Sequence, residues 1–191
     1  MNFKFLIIGF FIVNLALTSC LQRPRLTKKE LSGFNVYKKN DTIIFQNLFT
    51  KDKDTTIITN KKKYRNYEPM IDMEVIFHHA DIEYKNKNIK NPYRPETAYM
   101  YSLCKSSYNP VNALEFEYLY SDFYLDNNAE TQSITLFLSD KKIENAYLLI
   151  YNKPQFSGAN ENSPNILYWD VNYGIVKYIT FKGDIWERIN W

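Results

Sequence analysis

Few side chains in this chain could do covalent or acid–base chemistry. Its 191 residues include two histidines and two cysteines. His78 and His79 are adjacent, and neighbours on a strand point to opposite faces, so they do not readily share one metal ion. The sequence holds no His-Glu-x-x-His run and no Cys/His ligand spacing, so no metal site is expected. It also lacks a Gly-x-Ser-x-Gly elbow and a phosphate-cradling glycine loop, and its five glycines leave little material for one; no cofactor is expected. A Ser–His–Asp triad can assemble from distant residues, but no particular serine is marked out. The pairs Asp72/Glu74, Asp81/Glu83 and Glu115/Glu117 each put two acids on one strand face. Glycoside hydrolysis uses two acids at a fixed separation. Carboxylates opposite an apolar stripe otherwise form the solvated face of a strand, and that is the expectation here. Cys104 would need an adjacent base to act as a nucleophile; burial as a small apolar residue is expected instead. No catalytic residue is assigned, and the chain is read as non-enzymatic.

The elements that would position these groups are strands. Phe34–Tyr37 and Thr42–Phe45 flank Lys38-Lys39-Asn40-Asp41 as a hairpin. Thr55–Thr59 is β-branched throughout. Ile71, Met73, Val75 and Phe77 alternate with Asp72, Glu74, Ile76 and His78, and Leu114–Tyr120 alternates in the same way. Ile134–Leu138 and Ala146–Tyr151 make another pair, and three runs between Ile166 and Trp191 are divided at Tyr173-Gly174 and Lys182-Gly183-Asp184. Thr27-Lys28-Lys29-Glu30 fits a capping box for a helix of one or two turns ending by Gly33. Pro95 at a first helical position predicts a second helix to about Lys105, although the aromatic content there leaves a strand open. At least eight short strands therefore predict a mainly β fold, a single antiparallel β-rich domain with one or two short helices. It would be a curved sheet, half-barrel or sandwich.

Composition narrows the function classes. The chain is 45% hydrophobic and 24% charged, with net charge +3, which excludes a disordered chain or a nucleic-acid tail. Charge is uneven: Cys20–Arg65 carries twelve Lys/Arg against four Asp/Glu, and Asn66–Trp191 eleven against seventeen. Lys61-Lys62-Lys63-Tyr64-Arg65 is the densest basic run; an acidic protein or anionic lipid would suit it, and a loop balanced by the acidic half is expected. Aromatic residues make up 17% of the chain, with sixteen tyrosines. Tyr99, Tyr101, Tyr108, Tyr118, Tyr120 and Tyr124 could form a sugar-stacking surface, but core and cross-strand packing is the expectation.

The N-terminus carries the sharpest motif. Lys4 is followed by an apolar run from Phe5 to Leu17, about 20 Å as a helix at roughly 1.5 Å per residue and short for a bilayer span. Its proportions suit a secretory signal peptide. The run ends in Leu17-Thr18-Ser19-Cys20, which resembles the lipobox of bacterial lipoproteins. The resemblance implies peptidase recognition of Leu17, Thr18 and Ser19, cleavage before Cys20, and acylation of Cys20 with palmitate-type chains. It divides the chain into a signal peptide (1–19), a lipidated tether (20–33) and a β-rich domain (34–191). Leu21 stands where an Asp resembles an inner-membrane retention signal, and the following run is basic. Both favour the outer membrane, facing the periplasm. The partners expected are membrane lipid through acylated Cys20 and an unknown protein or envelope ligand, with no nucleic acid.

Two further resemblances are local. Tyr168–Tyr178, an aromatic strand followed by Gly174-Ile175-Val176-Lys177-Tyr178, resembles the closing strands of small uncharacterised bacterial lipoproteins; in some of these the sheet is a half-barrel, as in periplasmic lipoprotein carriers. Asp41-Thr42-Ile43 and Asp54-Thr55-Thr56 resemble a periplasmic O-glycosylation acceptor, which implies modification at Thr42 and Thr55. The leading expectation is a membrane-anchored envelope lipoprotein that binds or scaffolds. The alternatives are a carrier or sensor of a lipid or apolar ligand, an immunity lipoprotein against a toxin, and a periplasmic hydrolase.

Overall fold

The computed structural model describes residues 25–28, 31–70, 73–87, 98–106, 113–126, 133–151 and 159–191. The signal-peptide and lipobox residues, Cys20 among them, lie outside the described residues. After one short helix, α1 (Ser32–Asn35), the chain forms eleven strands. These are β1 (Thr42–Asn47), β2 (Lys53–Met70), β3 (Met73–Asn86), β4 (Ala98–Ser106), β5 (Ala113–Tyr118), β6 (Ser121–Asp126), β7 (Ser133–Phe137), β8 (Lys142–Ile150), β9 (Pro164–Asp170), β10 (Gly174–Thr180) and β11 (Ile185–Arg188). Among the described residues no helix is long and apolar enough to cross a membrane.

All eleven strands join one antiparallel sheet, ordered β6-β5-β4-β3-β2-β1-β11-β10-β9-β8-β7. The chain winds outward from β1 to β6, passes to the opposite edge at β7, and winds back until β11 pairs with β1. The fold is therefore mainly β, as the alternation predicts. The sheet is open, with β6 and β7 as its edges, yet it curls until β6 packs across against β8 and β9. Bulges at Ile58/Asn60, Ile82/Glu83 and Ile175/Lys177 sharpen the twist. Aromatic rings from the two halves meet inside the curl: Phe116 and Trp169 at 5.3 Å between centroids, Tyr118 and Tyr178 at 5.6 Å, Phe45 and Tyr178 at 5.1 Å. Burying such rings is the main favourable term, each worth about 1.5–3 kcal/mol by area.

Four local expectations are corrected. Residues 34–37 form no strand; α1 runs through Gly33 to Asn35, and the partner of β1 is β2. Gly33 is tolerated inside the helix because Trp169 occupies the space a side chain would take: a Cβ there would lie 2.2 Å from its Cζ2. The segment after Pro95 is strand β4, since Tyr101 and Leu103 bury their side chains beside β3 and tertiary packing overrides local propensity. The alternation from Leu114 to Tyr120 is interrupted by a two-residue turn, Leu119-Tyr120, with φ of 50° and 70°. The basic run Lys61–Arg65 lies inside β2: Lys61 and Lys63 sit over the Phe34 ring at 4.2 and 4.9 Å, and Lys62 pairs with Glu83 at 2.6 Å.

Candidate functional site

One recess lies at an end of the curl, where the turns β5–β6 and β10–β11 and the segment before β9 converge on the start of β2. It is a cleft of about 330 Å³, at the lower end of the roughly 300–1,000 Å³ range of small-molecule sites. Such sites favour the mouths of barrel-like sheets.

The floor is a buried polar network. Asp54, 1% exposed, accepts hydrogen bonds from Tyr178 Oη at 3.0 Å and from Asn86 Nδ2 at 2.8 Å. Asn86 Nδ2 also reaches Thr56 Oγ1 at 2.9 Å, and Thr56 Oγ1 meets Tyr118 Oη at 3.0 Å. Burial, reinforced by the neighbouring Tyr118 and Asp54, pushes the Tyr178 hydroxyl well above the usual tyrosine range, so it remains a donor to Asp54. Asp54 thus sits inside the fold with the neutral donors Tyr178 and Asn86 on its carboxylate.

One wall is a pair of linked turns. Phe181 N donates to Ser163 O at 3.0 Å and Lys182 N to Glu161 O at 2.8 Å, tying the β10–β11 turn to residues 160–163. Within the latter, Asn160 N donates to Ser163 Oγ and Asn162 N to Asn160 Oδ1, so both side chains serve the turn itself. The Asp184 carboxylate and the Asn162 side-chain amide, both on the cleft lining, have no hydrogen-bond partner among the described residues. Trp186 forms an aromatic side of the cleft and stacks on Tyr178, with centroids 5.8 Å apart and planes 10° off parallel. The opposite wall is the Leu119-Tyr120 turn. A left-handed two-residue turn normally takes Asn-Gly, and a bulky pair there stores backbone strain. It is pinned from below, where Leu119 N donates to Tyr84 Oη at 2.8 Å.

A second, shallower cleft of about 430 Å³ lies on the outer face of β2–β6. Register puts Lys62, Asp81 and Ser102 in one row and Tyr64, His79 and Cys104 in the next. Glu117 and Asp122 face each other across β5–β6 and line this cleft. Burial raises the Asp122 carboxyl above its ordinary range.

The residues marked out by sequence are dispersed. His78 and His79 do point apart: His78 Nδ1 accepts from Leu26 N at 3.2 Å, while His79 stacks on Tyr64 at 4.8 Å. Cys104 is half-buried with Sγ 3.9 Å from His79 Nε2. Asp81 is a correction: it is buried, and accepts from Ser102 Oγ at 2.9 Å, because β4 covers that edge of β3. Glu83 is engaged with Lys62. Asp72 lies outside the described residues. Of the six tyrosines, Tyr101 and Tyr118 are core, Tyr99 and Tyr124 line the outer cleft, and Tyr120 lines the mouth cleft; Tyr108 lies outside the described residues. Thr42 is exposed on β1, and Thr55 is half-buried opposite Ile44. Among the described residues no group of three or more His, Cys, Asp or Glu is placed to hold a metal ion. Sequence reasoning missed Asp54, Asp184 and Trp186 as a group, because they lie 132 residues apart at their extremes and converge only through the β1–β2 and β1–β11 pairings.

No protein-family model, no curated protein and no solved structure matches the chain.

Proposed function

We propose that this chain is a lipid-anchored cell-envelope protein that binds rather than catalyses, with the mouth cleft as its binding site. The observation that carries this reading is the lining of that cleft: unengaged polar groups on turns and a backed indole ring on β11, above a floor of hydrogen-bonded polar groups. The lipobox resemblance supplies the anchor, through acylated Cys20, and the Leu21 position favours the outer membrane facing the periplasm. The filled aromatic interior of the curl argues against a carrier that swallows an acyl chain, since the volume such a chain would need is taken by Phe45, Tyr84, Tyr118 and Tyr178.

The test has two arms. Mass spectrometry of the mature protein should find an acylated N-terminal Cys20, lost in Cys20→Ala; an intact, unacylated Met1 in the native host contradicts the anchor. Hydrogen exchange of the purified protein, with and without a low-molecular-mass extract of the host envelope, should show new protection at residues 119–120, 160–163 and 180–186. Protection confined to other segments, or none, contradicts the site.

A hydrolase is the second reading, favoured by the Glu117/Asp122 pair in the outer cleft and the raised Asp122 carboxyl. Directly opposed strand residues hold their Cβ atoms about 4.5–5.5 Å apart, and glycoside hydrolysis uses two acids flanking one bond. Turnover of a chromogenic glycoside that disappears in Asp122→Asn would establish it.

A further inference from the structure

We infer that the ligand of the mouth cleft is a neutral saccharide, taken from the side of the protein that faces away from its anchor. This inference rests on the binding reading above and assigns its ligand class. Three observations carry it.

The first is charge. Two carboxylates, Asp54 and Asp184, line the cleft, and among the described residues no Lys or Arg does. A phosphate, a carboxylate or a nucleotide would meet repulsion without a counter-charge. The Asp54 oxygens already accept from Tyr178 and Asn86, which leaves a cation the single carboxylate of Asp184.

The second is the pairing of a ring with interleaved donors and acceptors. Trp186 is held flat by the Tyr178 ring behind it. The Asp184 carboxylate can accept from a ligand hydroxyl, and the Asn162 amide can both donate and accept. A pyranose has this complementary form: a C–H face that packs on an aromatic ring, edged by hydroxyls that need both kinds of partner. An acyl chain would leave these polar groups desolvated and unpaired.

The third is position. Leu26 joins the sheet at His78 on β3. The same strand reaches the network beneath the cleft at Asn86, eight residues on and about 26 Å further at roughly 3.3 Å per residue. Only five residues separate Cys20 from Leu26, a span of at most about 20 Å of extended chain. The tether therefore meets the sheet well away from the end where the mouth opens, which faces the compartment rather than the anchoring bilayer.

The test is a glycan array of neutral and acidic oligosaccharides, followed by calorimetry with the best neutral hit, with spermidine and with oleate. The expected result is binding of neutral glycans only, insensitive to salt. Affinity should fall about tenfold or more in Trp186→Ala and be largely retained in Trp186→Phe. Asn162→Ala, an exposed position that leaves the core intact, should also weaken it. Binding of spermidine or oleate without any glycan overturns the saccharide assignment. So does glycan binding that is unchanged in Trp186→Ala and Asn162→Ala. If no glycan binds while the envelope extract still protects the three mouth segments, the ligand class falls and the site stands. If the extract protects nothing there, both fall.

Discussion

Replacing Gly174 by Ala tests how the N-terminal segment is fastened to the sheet that carries the cleft. Gly174 opens β10 with φ +76°, and a Cβ there would lie 2.1 Å from Tyr37 Oη and 2.3 Å from its Cζ. Tyr37 is buried, and its hydroxyl oxygen accepts from Ile175 N at 2.7 Å. An alanine held in the left-handed region costs about 1 kcal/mol. Expelling the Tyr37 ring leaves the Ile175 N–H buried without a partner, a further cost of about 1–3 kcal/mol. The sum is about 3 kcal/mol, which for a chain of this size lowers Tm by roughly 10 °C. Thermal and urea unfolding followed by circular dichroism would read it. Mouth-cleft binding should survive in the folded fraction, because Tyr178 lies four residues along the strand, about 13 Å away. A loss below 1 kcal/mol would refute the packing argument. Loss of binding with the fold intact would refute the separation of scaffold from site.

Three other outcomes follow from the same contacts. Tyr120→Gly relieves a left-handed residue and should raise stability by about 0.5–1 kcal/mol, while weakening ligand binding because Tyr120 forms one wall of the cleft; unchanged binding by calorimetry would remove that wall from the site. Burial pushes the Tyr37, Tyr84, Tyr118 and Tyr178 hydroxyls above the ordinary tyrosine range. The unfolded chain ionises its tyrosines near pH 10, so stability should be level below that pH and fall above it; absorbance at 295 nm should show these four ionising together with loss of the near-ultraviolet circular dichroism signal, not one by one in the folded protein. At Glu187 burial works to raise the carboxyl, but the Ser139 N–H, the Lys177 ammonium and the Ser139 hydroxyl outweigh it and hold the group below its ordinary value. Its contribution is therefore present above the unfolded carboxylate range, about pH 4.3, and is lost as pH falls through the lower folded value; Glu187→Gln should flatten acid unfolding in that window, and an unaltered acid limb would contradict the assignment.

Much of the sheet was legible because its faces differ. In β1, Ile43 and Phe45 are buried while Thr42 is exposed, a period of two that sequence displays directly. The three closing strands were equally plain, since Gly174 and Gly183 both take positive φ at the breaks between them. The Leu119-Tyr120 turn was hidden because neither residue signals a left-handed turn; buried Tyr84 imposes it from another strand. The strand after Pro95 was masked by a favourable helix start. The basic run in β2 read as a loop because the ring that receives two of its lysine ammonium groups, Phe34, lies in a different segment. The mouth cleft was not legible at all. Its groups come from β2, β10, β11 and three turns, and no spacing in the chain relates Asp54 to Asp184 or Trp186 before β11 pairs with β1. Trp186 was visible only as one more aromatic residue of a strand.

The most direct test of the central claim is native mass spectrometry of the protein released gently from its own membrane, compared with Trp186→Ala purified in the same way. A binding protein whose site is the mouth cleft should carry a small non-covalent adduct, with the mass of a neutral oligosaccharide, that is absent from the variant while both share the acylated Cys20 mass. The same adduct on both proteins, or none on either, would contradict the account.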